Sequence, residues 1–417
     1  MSGKNIGGGA EAVRNVAVIK WLTCLMFMMF AMTTDAVGSI IPTLIKEFRL
    51  SMTAAVTFHY VPMGAIALGA ILLGFMADKL GRKRTIIIGL VLYGASSVLF
   101  AFGKDFVYFV VLLAISGVGI SVFKTGALAL IGDITKSTTE HSSMMNMVEG
   151  FFATGAIIGP AIVATLLAGG FSWKWLYVIA AGICALLIFI SLSVQYPVTV
   201  KATDKPAALA HTLRVMRDPY ALAFSTMIML YVAVEVAIYV WMPTYLLDYH
   251  GTIAWLPIYA LTIFFVLRAV GRFVGAWLIN HFAWTWILAL FGTAIFACFF
   301  GSLVGGATTG AILLPLSGLF MSMIYPTLNS KGISCFHKTE HGAAAGVILF
   351  FTAVAAAAGP LAMGAISDTF GSVKYGFILA TGFAFLLLVG LLLNLALNPA
   401  KKRLQMLEKL EYAAAAS

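Results

Sequence analysis

The sequence predicts an all-α integral membrane protein, with twelve spanning helices arranged as two pseudo-symmetric six-helix bundles. Three observations predict it. The first is composition: of 417 residues, 61% are hydrophobic and 10% charged, with a mean hydropathy of +1.00. Soluble domains carry about 25% charged residues. The second is segmentation. A spanning helix needs about 20 apolar residues at ~1.5 Å rise each. That places spans at 17–43, 54–78, 84–103, 106–132, 142–168, 174–196, 219–249, 252–280, 284–306, 309–335, 341–367 and 373–397. The third is an internal repeat. Asp35…Ile41-Pro42-Thr43-Leu44 in span one parallels Glu235…Met242-Pro243-Thr244-Tyr245-Leu246 in span seven. His141…Phe151-Phe152…Gly159-Pro160 in span five parallels His341…Phe350-Phe351…Gly359-Pro360 in span eleven.

Taken in order, span one runs from the N-terminal cations to Pro42 and is too long for a cleaved signal peptide. Span two closes at Gly74–Asp78, and span three opens after Arg82-Lys83-Arg84. Span four ends at Asp133, and Pro160 lies in span five. The longest polar connector, Val198–Asp218, separates an N-terminal bundle (1–197) from a C-terminal bundle (219–397), leaving 398–417 as a tail. Pro243, Pro326 and Pro360 lie within or near the ends of later spans, where neighbours can satisfy a bent backbone. The glycine-rich run Gly301–Gly310 has no strand before it and so is no phosphate loop. Gly64, Gly69 and Gly74 most simply permit close helix packing.

Charge placement gives the orientation. With both termini inside, cytoplasmic segments hold 18 of the 26 Lys and Arg, and the outer loops hold five: Lys46, Arg49, Lys104, Lys174 and Lys374. That excess places both termini in the cytoplasm. A net charge of +10 spread over short loops sets topology and does not suggest nucleic acid. Cys24, Cys184, Cys298 and Cys335 are scattered singly, implying neither a disulfide framework nor a metal site.

Charges at span centres cost at least about 2.5–3.5 kcal/mol each, so they mark pathways. Five qualify: Asp35, Lys124, Glu149, Glu235 and Arg268. Rise per residue puts Asp35 about 22 Å above Lys20 and Glu235 about 24 Å above the start of span seven. The two share an outer-middle level, while Lys124 and Glu149 share an inner-middle one. Lys124–Glu149 and Glu149–Arg268 are competing candidate ion pairs. A static pair that merely holds helices together is the bland alternative. Asp35, Glu149 and Glu235 are candidate proton carriers, since low dielectric raises a carboxylate's proton affinity. Trp241, Tyr245, Tyr325, Asn329 and Asn146 join the five charges as candidate solute-binding residues, because amides, carboxylates and aromatic faces together hold sugars. Any single aromatic can equally be an interfacial belt residue.

The run Gly74-Phe-Met-Ala-Asp78-Lys79-Leu-Gly81-Arg82-Lys83-Arg84 resembles the loop motif of the major facilitator superfamily. The resemblance implies two parallel six-helix halves with solute bound between them. It also implies a cytoplasmic gate, in which Asp78 meets a helix from the other half and Arg82 meets the carboxylate ending span four, Asp133. Gly74, Lys79, Gly81 and Lys83 complete the motif. Tyr231-Val232-x-x-Glu235-Val236, Phe320-Met321-Ser322-x-x-Tyr325-Pro326-Thr327 and Asn146…Phe151…Gly155-Ala156-Ile157-Ile158-Gly159-Pro160 are similar to the fucose permease-like, fucose/galactose/glucose:proton symporter branch. Phe123-Lys124-Thr125 departs from the Glu that branch often carries in helix four, and this cation admits an anionic solute.

His337-Lys-Thr-Glu340-His341 matches the inverted zinc-protease pattern, but sits in a short turn between spans and is set aside. The expectation is a secondary transporter, not an enzyme, of the cell inner membrane. It is expected to work as a monomer without a cofactor, coupled to protons or, failing that, sodium. The solute is a sugar or sugar derivative. The alternatives are an organic anion or sugar acid held by Lys124 and Arg268, and drug efflux.

Overall fold

The computed structural model describes residues 5–50, 52–197 and 208–411. Among them no strand occurs, and ten helices are long and apolar enough to cross a bilayer. One of these, Trp284–Ser334, holds spans nine and ten, parted where Gly306 leaves helical geometry at φ 69°. A shorter apolar helix, Thr57–Leu73, supplies span two. Each of the twelve expected spans thus has its helix.

Span one is a helix in two pieces, Asn5–Thr34 and Val37–Phe48, interrupted at Asp35–Ala36. Spans two to six are Met52–Leu73, Arg82–Leu99, Phe106–Ile134, Thr138–Ala168 and Trp175–Ser193. Span seven is Pro219–Tyr245, opened by the Asp218 side chain accepting from the Tyr220 amide, with Pro at the first helical position. Span eight is Trp255–His281, span eleven His341–Phe370 and span twelve Val373–Leu397. Of the expected linker 198–218, residues 198–207 lie outside the described residues, and the rest holds a helix, Ala208–Met216. The expected tail contains a further helix, Lys401–Glu411, while 412–417 lie outside the described residues.

The chain divides into two compact units. Unit 1 holds residues 1–135, 151–213 and 338–346, and unit 2 holds 136–150, 214–337 and 347–417. The boundaries expected from chain halves, 1–197 and 219–397, therefore differ from these units by two short segments, the starts of spans five and eleven. Within unit 1, span four packs on two and three, and span six on one and three. Unit 2 repeats the arrangement, with span twelve against seven and nine and span ten against seven. The repeat reaches individual residues. Gly74 of span two abuts Gly346, where an added Cβ would lie 3.2 Å from the neighbouring Cα, and its counterpart Gly275 of span eight abuts Asn146.

Unit 1 is closed at one end by an aromatic cluster. Trp173, buried to 1%, packs among Phe58, Phe100 and Phe109 and donates to Glu47 at 2.9 Å. Phe100 stacks on Tyr177 at 3.8 Å. Sheltered aromatic area of this size is among the largest apolar contributions a residue makes.

Candidate functional site

The loop between spans two and three builds a buried ion network inside unit 1. Gly81, at φ 89°, takes a conformation that a side chain would strain, and from it span three starts with Arg82 already turned inward. The Arg82 guanidinium, 1% exposed, donates to Asp78 at 2.7 Å, to Asp133 at 2.9 Å and to the Ala77 carbonyl at 2.8 Å. It also donates to the carbonyl of Lys338. Asp78 accepts from the amides of Gly342 and Ala343, both at 3.0 Å, in the first turn of span eleven. A carboxylate at a helix N-terminus answers both its orphan amides and its dipole. Burial pushes the Asp78 carboxyl up to about 6, against the opposing pull of Arg82 and the two amides. Lys83 donates to the carbonyls of Leu192 and Val194 that end span six, while Lys79 lies 5.6 Å from the Phe75 ring. The expected Arg82–Asp133 pair is present.

Unit 2 carries four charges at membrane depth. Arg268 and Arg272 stand one turn apart on span eight. Arg268 meets Glu235 of span seven at 2.6 Å, and Glu235 also accepts the hydroxyl proton of Tyr231. Arg272 meets the Glu149 carboxylate of span five at 3.4 Å and donates to its backbone carbonyl at 2.7 Å. All five side chains are at most 8% exposed. The charges cancel in pairs, as burial requires. Tyr325 packs beside Tyr231 with ring centroids 6.3 Å apart. One turn further along span ten, Asn329 is fully buried with neither amide atom bonded among the described residues.

The sequence profile of the Major Facilitator Superfamily matches residues 23–360. The chain belongs to the major facilitator superfamily. It is similar to the L-fucose-proton symporter of Escherichia coli (strain K12), at 24% identity over 84% of this chain and 87% of that one. Its fold matches a crystal structure of FucP with a TM-score of 0.77, at 21% identity over 90% of this chain and 98% of that one. The proton:xylose symporter XylE gives a TM-score of 0.72 at 12% identity, over 90% and 95% of the two chains. This protein is a multi-pass membrane transporter, not an enzyme, and its relatives move small solutes.

The other expected site residues are placed as follows. Asp35 sits exposed at the interruption in span one and accepts from the Thr34 hydroxyl at 3.0 Å. Lys124 is half-buried in unit 1, its ammonium 4.5 Å from the Phe152 ring centre and 5.7 Å from that of Phe27. Asn146, fully buried, donates to the Ser142 carbonyl and to Thr327, so its amide nitrogen ties span five to span ten. Two further expected residues are placed by their contacts in unit 2. The Tyr245 hydroxyl donates to the Ser302 carbonyl at 2.9 Å and its ring packs on Phe377. Trp241 spends its indole N–H on the Pro360 carbonyl at 3.2 Å. Among the ion pairs described, Glu149 meets Arg272 and Arg268 meets Glu235. Arg272 and Tyr231 went unrecognised as site residues. Their spacing, Arg272 four after Arg268 and Tyr231 four before Glu235, was the available signal.

Proposed function

We propose that this transporter is a proton-coupled symporter of a small sugar or sugar derivative. It works by alternating access in the cell inner membrane as a monomer, with both termini in the cytoplasm. The observation that carries the reading is the Tyr231–Glu235–Arg268 triad buried at membrane depth. Glu235 accepts from two donors, the Tyr231 hydroxyl and the Arg268 guanidinium. A proton taken onto it discharges the pair and frees Arg268, and a solute oxygen then replaces the lost acceptor. Binding of proton and solute is thereby linked, because either alone leaves a buried group unanswered. Asn329, whose amide atoms have no hydrogen-bond partner among the described residues, offers a donor and an acceptor for sugar hydroxyls. Glu149 and Asp35 are the other proton candidates, and sodium is the alternative coupling ion. Similarity to the fucose-proton symporter supports this solute class.

A second reading is favoured by one observation. Arg272 Nε has no partner among the described residues, and with Arg268 one turn away the site offers two forked cations to a carboxylate. The solute would then be an organic anion or sugar acid.

Purified protein in liposomes carrying an external pH dye decides between them. L-fucose, D-galactose or D-glucose should alkalinise the outside, and Arg268→Met should reduce the rate roughly 100-fold or more. Movement driven only by galactonate or gluconate would select the anion reading. If no sugar or sugar acid gave a pH change or counterflow, both would fall.

A further inference from the structure

Where spans seven and ten end beside the C-terminal helix, unit 2 contains a cavity of ≈ 360 Å³ that nothing above uses. Tyr220, Cys335, His337, Lys402, Arg403, Met406 and Leu407 line it. Its floor is fixed by Arg403, which donates to Asp218 at 3.0 Å and to the Cys335 carbonyl at 2.6 Å, with the rings of Tyr220 and Phe336 at 4.6 and 5.0 Å. Leu404 and Leu407 bury one face of the helix, and Glu408 accepts from Thr138 at 3.4 Å. The cavity is thus built from a docked element, not a loose tail.

Its charge is unbalanced. Asp218 is taken by Arg403, and Glu411 by His337 at 2.6 Å. Lys402, exposed at the rim, has no acid partner among the described residues, and the exposed Arg217 lies one residue before Asp218. Met406 of the lining is 51% exposed, and two exposed leucines lie nearby in sequence, Leu410 four residues after Met406 at 57% and Leu222 two residues after Tyr220 at 40%. A pocket that is cationic at its mouth, greasy at its edge and level with the ends of two spans matches one kind of molecule abundant at that depth.

We infer that this cavity holds the headgroup of an anionic phospholipid, with phosphate at Lys402 and Arg403 and acyl chains running past Met406 and Leu222. The inference is independent of the transported solute. It commits to a lipid because a free anion would make no use of the exposed apolar rim. Bound there, the lipid fastens the C-terminal helix to the starts of spans five and seven through Glu408 and Arg403.

The test uses the full-length protein in micelles, titrated with dioleoyl-phosphatidylglycerol, dioleoyl-phosphatidylcholine or inorganic phosphate, and read by thermal shift and native mass spectrometry. Phosphatidylglycerol should bind at least about five-fold tighter than phosphatidylcholine, and Lys402→Gln should remove about five-fold of that affinity. Lys409→Gln, on the same helix but outside the cavity lining, should leave it unchanged. Equal binding of the two lipids would overturn the proposal. So would equal losses in the two variants, which would mean diffuse surface charge, or inorganic phosphate matching the lipid, which would mean a soluble anion.

Discussion

The two units solve the problem of polar groups inside a membrane in opposite ways. Unit 1 pairs neutral hydroxyls in its buried interior, Thr33 with Tyr93 at 2.8 Å and Ser96 with Ser116 at 2.7 Å, and leaves its mid-span charges Asp35 exposed and Lys124 half-buried. Its ion network, Asp78–Arg82–Asp133, is kept at the end of spans two to four. Unit 2 puts two arginines and two glutamates in the middle of its spans. Paired hydroxyls at depth cost little, whereas each charge there costs several kcal/mol. The same repeated architecture thus holds a unit whose charges latch the first turn of span eleven at one end and a unit that keeps four paired charges at depth.

Breaking the charged pairing in unit 2 should have the largest effect. Glu149→Gln leaves Arg272 buried without a counter-charge and should destabilise the protein by about 3–5 kcal/mol, read as loss of thermal stability in micelles. Adding Arg272→Met should recover most of it; a double variant no better than the single would mean the two residues are not coupled. In unit 1, Asp78→Asn keeps the shape but weakens the grip on Arg82 and on the amides of Gly342 and Ala343. A loss of about 2 kcal/mol is expected, together with faster proteolysis at the 338–346 segment. No change in either readout would remove the latch from the comparison. Lys124→Gln should cost least, about 1 kcal/mol, because the ammonium rests on aromatic faces. It should abolish uptake of sugar acids while sparing neutral sugars, and equal loss of both would place Lys124 outside solute selection.

Much of this was legible in the sequence because it is local. Apolar length identified each span, and the glycine, aspartate and basic run of the 74–84 loop identified both the latch and the partner of Arg82. What hydropathy does not encode is how far a helix is rotated about its own axis. Arg268 and Arg272 differ by one turn, about 6 Å in height, and only packed neighbours decide which of them faces Glu149. Trp241 and Tyr245 illustrate the same limit, since an aromatic residue reads alike whether its polar atom meets a solute or a backbone carbonyl. The interruption at Asp35 was hidden by a continuous apolar window on both sides. Asn329 stands apart, for the lack of partners to its amide among the described residues is a fact of three dimensions alone.

That interruption makes span one a jointed rod. Its outer piece is moored by Ile40 and Leu44 in the aromatic cluster around Trp173, and its inner piece rests on span five and the ring of Phe123. Across the joint the Asp35 amide donates to the Ala31 carbonyl at 3.1 Å and the Ser39 amide to that of Ala36 at 3.0 Å. Were the inner piece to lean while its mooring stayed put, the carboxylate at the elbow would feel every such movement.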